Sequence, residues 1–190
     1  MHKNGNYRYP AVPLSILFQI AIAIVVAKLP KPGYLLCSEG AGLIFLLTAK
    51  KAMNDAPVFI VDSDLEDKDL LQDAWKELGF PNKLLFFKNA EEVIKQLESN
   101  EEVPFLIISE IDLPKTSGLD LKRQLLSHNY TNFKSIPFVF LTDSPSQTQI
   151  EQAYQLCTNG VFRKSDSFAK LKQQLVDIVK YWRESLVPMN

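Results

Sequence analysis

The chain has 190 residues, 46% of them hydrophobic and 23% charged, a globular composition long enough for one full core plus an appendage. A formal net charge of -1 with no Lys/Arg-rich run leaves no nucleic-acid footprint. Cys37 and Cys157 lie far apart without metal-ligand spacing, which excludes a disulfide framework and a zinc motif and fits a reducing compartment.

Composition changes near residue 50. Residues 11–27 carry no charge and are mostly Ile, Leu, Val and Ala, and residues 34–49 are apolar apart from a few polar positions such as Cys37, Ser38, Glu39 and Thr48. A membrane helix wants about 20 apolar residues and a signal h-region about 7–15, so the first stretch falls between the two. Lys3 and Arg8 precede it, Val25-Val26-Ala27 is a passable cleavage site, and Lys28 and Lys31 follow it. Three expectations stand for this segment. It is an extension upstream of a natural start at Met53, a membrane anchor retained through residues 11–49, or a cleaved signal or packed accessory segment. The domain organisation that follows is an N-terminal hydrophobic segment over 1–52, a globular domain over 56–183 and a tail over 184–190.

From residue 57 onward, strand and helix patterns alternate. Residues 57–61 form a continuous apolar run, as expected of a central parallel strand buried on both faces. Leu71, Ala74, Trp75 and Leu78 then share one helical stripe, stopped by Gly79 and Pro81. Residues 83–87 read as a second strand, and Asn89 caps a helix with Ala90, Val93, Ile94 and Leu97 on one face. Residues 105–108 make the third strand, and a helix carrying Leu119, Leu125 and Leu126 follows Gly118. The fourth strand is predicted over 136–141. The helix after Pro145 is expected to bury Ile150, Ala153, Tyr154 and Cys157 and to end at Asn159-Gly160. Val161 and Phe162 form a short fifth strand, before a last helix with Phe168, Leu171, Leu175, Ile178, Val179 and Trp182 at helical spacing. Five consecutive strand-helix units imply an α/β, doubly wound parallel sheet with helices on both faces.

In such a sheet, functional groups collect at the carboxyl ends of the strands. Four predicted strand ends carry polar groups. Asp62-Ser63-Asp64 follows the first strand, Ser109-Glu110-Ile111-Asp112-Leu113-Pro114 through Gly118 follows the third, Thr142 follows the fourth, and Lys164 follows the fifth. This order and spacing resembles the receiver domain of two-component response regulators over about residues 56–183. The resemblance implies a flavodoxin-like five-stranded fold with strand order 2-1-3-4-5, and a signalling protein rather than an enzyme.

By that resemblance, Asp62, the acceptor position 110 and the backbone carbonyl of Asp112 hold a magnesium ion, which neutralises an incoming phosphoryl group. Thr142 matches the hydroxyl that binds a phosphoryl oxygen. Lys164 matches the cation that pairs with the phosphate, or with the acceptor carboxylate when phosphate is absent. Two departures bear on the chemistry. The phospho-acceptor position is Glu110 instead of aspartate, and Ser63 replaces the second acid of the pair. Ser165 follows the lysine where the family usually has proline, and Val161 fills a slot that is often aromatic.

A glutamate pushes its carboxylate about one bond further into the pocket, toward where a phosphoryl group on aspartate would lie. It carries one negative charge where a phosphoryl carries about -1.5 to -2. Two outcomes are open, a receiver locked near its active-like state or a pseudo-receiver that no longer responds to a kinase and works through protein contacts. The single charge makes the mimicry partial and favours the second, with weak magnesium binding. Buried beside an apolar strand, Glu110 needs a partner, for which Lys164 is the obvious candidate. Asp62 and Asp64 also have the simpler reading of helix caps, and Thr142 and Lys164 of an ordinary strand end and a solvated loop lysine.

The implied partners are a histidine kinase or phosphotransfer protein, or a downstream signalling protein, in the cytoplasm. No nucleic acid is expected. A membrane is involved only if residues 11–49 are retained as an anchor with the receiver facing the cytoplasm. Tyr154, Val161, Tyr181 and Trp182 are candidates for the contact face. Asp62-Ser63-Asp64 with a later Thr and Lys also resembles haloacid-dehalogenase-type phosphohydrolases, with Asp62 as nucleophile and Asp64 as general acid. No cap-domain insertion is visible, and the acidic loop 62–67 repels phosphate, which weakens a flavin-binding reading further.

Overall fold

The computed structural model describes residues 54–99, 102–127 and 131–185, together with residue 50. The N-terminal segment and the last five residues lie outside the described residues, and so do the expectations placed on them. Five strands, β1 (Val58–Val61), β2 (Leu84–Phe87), β3 (Leu106–Ser109), β4 (Phe138–Thr142) and β5 (Gly160–Arg163), alternate with helices α1 (Leu65–Leu78), α2 (Ala90–Glu98), α3 (Gly118–Ser127), α4 (Gln147–Gln155) and α5 (Phe168–Glu184). A single helical turn, Thr131–Lys134, precedes β4. All strand pairs are parallel and the order is β2-β1-β3-β4-β5, as the resemblance implies.

Strand side chains alternate between two apolar layers, because successive residues of a strand point to opposite faces. Phe59, Val61, Ile107, Phe138 and Phe140 pack with Val93 and Leu97 of α2, Leu121 and Leu125 of α3 and Ala153 of α4. On the other face Val58, Ile60, Leu106, Ile108, Val139 and Leu141 pack with Leu71, Ala74 and Trp75 of α1 and with Leu171, Leu175, Ile178 and Val179 of α5. The central strands β1, β3 and β4 are buried along their whole length, which is why they read as continuous apolar runs.

Local signals set the helix ends. Asp64 caps α1 by accepting from Glu66 N and Asp67 N, and Gly79 ends it in the left-handed region at φ 64°. Asn89 accepts from Glu92 N at the start of α2, and Ser146 with Gln149 forms a capping box on α4. A polar latch joins the chain before β1 to the end of α5. Buried Asn82 donates to the carbonyls of Asn54 and Ala56, and Arg183 donates to Asn82 Oδ1 at 2.6 Å.

Two expectations are corrected. Helix α4 ends at Gln155, not at Asn159-Gly160, because Cys157 turns into the left-handed region at φ 53°. Asn159 instead clamps β4, its backbone N donating to Phe138 O and its Oδ1 accepting from Phe138 N, both at 2.8 Å. Tyr154 lies off the core-facing side of the helix and Cys157 beyond its end, so both are exposed, while Ala153 and Leu156 face the core. On α3 the stripe is carried by Leu119, Leu121 and Leu125 with Leu126 half-buried, and Lys122 is buried within it at 3% exposure.

Candidate functional site

The sheet's winding reverses between β1 and β3, and there the first acid and the acceptor position meet. Glu110 N donates to Val61 O at 2.9 Å, Asp62 N to Phe87 O at 2.9 Å, and Lys164 N to Thr142 O at 2.8 Å, so the strand ends deliver their next residues side by side. Gly118 closes the loop after β3. Its N donates to Ile111 O at 2.8 Å, and a Cβ there would stand 2.1 Å from the Glu110 carbonyl oxygen, so no side chain fits.

Within this frame, Lys164 is the hub. Its ammonium donates to Asp62 Oδ2 at 2.8 Å and to Asp67 Oδ2 at 2.5 Å, and lies 2.9 Å from Glu110 Oε2 and 3.7 Å from Asp143 Oδ2. Glu110 Oε2 meets the ammonium as an ion pair without an aligned hydrogen bond. The other Glu110 oxygen, Oε1, accepts from the Thr142 hydroxyl, from Ile111 N at 2.6 Å and from Asp112 N at 3.3 Å. The predicted partner of Glu110 is therefore present, and Thr142 is a second.

Burial draws the Lys164 ammonium down, but the hydrogen bonds to Asp62 and Asp67 and the close Glu110 carboxylate outweigh it and hold the lysine above its ordinary pKa. Burial pushes the Asp62 carboxyl up from its ordinary value, against the lowering bonds from Lys164 and from Asp64 N. The first acid is thus both a turn former, accepting from Asp64 N at 2.9 Å, and an ion-pair partner.

The predicted site residues Asp62, Glu110, Thr142 and Lys164 come together. Ser63 lies exposed beside them and adds no carboxylate. Asp112 is exposed and turns its side chain to α4, where its Oδ1 accepts from Gln149 Nε2 at 2.9 Å. Val161 packs in the layer of α2, α3 and α4 and Phe162 in the opposite one, so Phe162 does not stand in for the missing aromatic. The Asp67 contact was not anticipated from sequence. Its signal is its place three residues after the Asp64 cap, in the first turn of the helix that rises from the acid loop.

A divalent ion would find part of a shell here. Asp62 and Glu110 converge, but the oxygens that face inward are engaged by an ammonium and a hydroxyl, and among the described residues no group of three or more His, Cys, Asp or Glu is placed to hold a metal. Hard divalent cations take six or more oxygens, so most of the shell would be water.

A doubly wound sheet of this order, with acids, a hydroxyl and a lysine at its carboxyl edge, is the architecture of a receiver-type module. The sequence pattern of the response regulator receiver domain matches residues 58–176, and the chain belongs to that family. It is 29% identical over 115 residues to a probable chemotaxis protein CheY of Rhizobium etli, covering 60% of this chain and 85% of that protein. A probable methanogenesis regulatory protein, FilR2 of Methanothrix harundinacea, is 25% identical over 129 residues, covering 66% of this chain and 82% of its own length. The crystal structure of the phosphorylated cyanobacterial phytochrome response regulator RcpA superposes with a TM-score of 0.64 at 25% identity, over 70% of this chain and 99% of its own. The Mn(2+)-bound form of response regulator Rcp1 shares the fold, with a TM-score of 0.62 at 23% identity over 70% of this chain and 99% of that one. None of these relatives supports the phosphohydrolase alternative, and Asp64, its intended general acid, is the α1 cap.

Proposed function

We propose that this chain is a stand-alone receiver protein of phosphorelay signalling that does not accept a phosphoryl group at residue 110 and acts through protein contacts in the cytoplasm. The observation that carries it is the position of the Glu110 carboxylate, which already binds the Thr142 hydroxyl through one oxygen and meets the Lys164 ammonium through the other. Those are the two groups that the receiver resemblance assigns to phosphoryl oxygens. The longer side chain thus satisfies, with one charge, contacts that an aspartate would leave for phosphate. Among the described residues no helix is long and apolar enough to cross a membrane.

A contiguous set of hydrogen bonds leads from the site to α4. Glu110 Oε1 accepts from Asp112 N, Asp112 Oδ1 accepts from Gln149 Nε2, and Gln149 Oε1 accepts from Ser146 N at 2.8 Å. Helix α4, β5 and α5 form the contact face in this reading. Tyr154 and Tyr181 are 57% and 65% exposed, and Trp182 stacks edge-on against Tyr181 with ring centroids 5.0 Å apart. Exposed aromatics of this kind serve as interface anchors. The partner is a histidine kinase, a phosphotransfer protein or a downstream signalling protein. Magnesium, where bound, is held weakly by Asp62 and Glu110, with the Asp112 carbonyl as the third ligand by resemblance, and would supply charge neutralisation.

Incubation with acetyl phosphate and magnesium, followed by intact-mass spectrometry, tests the reading. The expected spectrum shows no species 80 Da heavier. An adduct mapped to Glu110 would overturn it.

A further inference from the structure

Asp67 is the carboxylate nearest the Lys164 ammonium, at 2.5 Å against 2.8 Å for Asp62 and 2.9 Å for Glu110. It belongs to none of the stations that the receiver resemblance supplies. A separate device places it. The Asp64 cap fixes the first turn of α1, with Asp67 N pointing at Asp64 Oδ1 from 3.5 Å, and the helix start favours an anionic side chain at that point. The Asp67 side chain keeps 27% exposure, against 6% for Asp62 and 9% for Glu110, so it approaches the ammonium from the solvent side while the other two approach from within. Asp67 and Lys164 also line one open cleft of about 180 Å³ together with Leu70, Asp143, Asp166 and Leu171.

An ammonium has three N–H donors. Here two are hydrogen-bonded to Asp62 and Asp67, and the remaining face meets Glu110. A phosphoryl oxygen could reach Lys164 only by displacing one of these carboxylates, and a dianion arriving there would also meet the uncompensated charge of Asp67.

We propose that Asp67 is an internal competitor for the Lys164 ammonium, a positioning residue that keeps the lysine from an incoming phosphoryl group, so that an aspartate restored at position 110 does not by itself restore a receiver. This rests on the reading of Glu110 as a non-accepting residue and adds a second block to it. The reaction concerned is transfer from an acyl phosphate. A carboxylate oxygen at position 110 attacks phosphorus and forms a new O–P bond, while the P–O bond to acetate breaks and acetate leaves with the electron pair.

The experiment compares full-length wild type, Glu110→Asp, Glu110→Asp/Asp67→Asn and Glu110→Asp/Asp67→Glu with acetyl phosphate and magnesium, following adduct formation by intact mass. The asparagine double variant is expected to react about tenfold faster than Glu110→Asp, since both the competition and the repulsion are removed. The glutamate double variant should stay close to Glu110→Asp, because it keeps the charge. Equal rates in Glu110→Asp and its asparagine double variant overturn the role of Asp67, and so does a lack of adduct in both. An adduct on the wild type sinks the reading of Glu110 instead, so the two failures are distinguishable. Without magnesium or phosphodonor, Asp67→Asn alone should shift the Lys164 15Nζ ammonium resonance. An unmoved signal would also overturn the proposal.

Discussion

Replacing Lys164 with methionine keeps the stem and removes the cation on which Asp62, Asp67 and Glu110 converge. Lys164, Asp62 and Glu110 side chains are 11%, 6% and 9% exposed, so the pairs being broken are largely shielded from water. Deleting one partner of a buried ion pair costs about 3–5 kcal/mol, because the other partner is left charged and dry. Asp67 and Asp143 are 27% and 73% exposed and recover hydration, which puts the expected loss at the lower end, about 3 kcal/mol at pH 7. The loss should depend on pH. In the wild type Asp62 already sits above its ordinary pKa because of burial, and Lys164 lowers it. Without the lysine, the Asp62 carboxyl loses that lowering contact and rises further above its unfolded value, so the folded variant binds more protons and gains relative stability as pH falls, by about 1.4 kcal/mol per pH unit for each extra proton. The wild type lacks this trend from Lys164, whose raised pKa makes its contribution fully present below the ordinary lysine value and lost only as pH climbs through the folded one. Urea unfolding of both proteins from pH 5 to pH 8 measures the difference. A loss below about 1 kcal/mol, or one that is constant with pH, would refute the shielded-hub account.

Two further expectations follow from the same structure. Magnesium should bind with a dissociation constant in the millimolar range or above, since a site with few charged oxygens holds a hard cation poorly; micromolar binding by calorimetry would mean that Asp67 or Asp64 has joined the shell. Lys122→Leu should stabilise the domain by about 1–2 kcal/mol at pH 7, because the buried amine lies over the Phe138 ring and burial lowers its pKa. Its unfolded form binds the proton more tightly, so wild-type stability climbs as pH rises toward the ordinary lysine value, and the advantage of leucine in urea unfolding should shrink from pH 7 to pH 10.

The fold was legible because its signals are local and repeated. Each of β1, β3 and β4 is an apolar run buried on both faces, and Asn89 and Gly79 mark helix ends by side-chain capping and by a left-handed turn. The α4 terminus departs from the sequence expectation because two stop signals compete there. The residue that takes the left-handed turn is Cys157, a type seldom chosen for it, while Asn159, a usual stop, is recruited by β4. The burial of Lys122 is hidden in the sequence for the opposite reason. Its spacing from Leu119 and Leu125 puts it on the buried stripe, but a charged residue at such a position reads as surface unless the width of the stripe is known.

At the site, residue type and strand order brought Asp62, Glu110, Thr142 and Lys164 together in advance, since each ends or follows a different parallel strand and the carboxyl edge is common to all. What sequence could not supply was the allocation of charge among them. Four carboxylates, from Asp62, Asp67, Glu110 and Asp143, lie within 4 Å of one ammonium, at 2.8, 2.5, 2.9 and 3.7 Å. Which of them holds it depends on burial. The inner pair loses most by releasing the lysine, Asp67 at 27% exposure loses less, and Asp143 at 73% exposure loses little. The acceptor position is therefore tied to the lysine from inside the fold, and any change in what Lys164 contacts has to begin at Asp67, on the side that a partner or a small ion can reach.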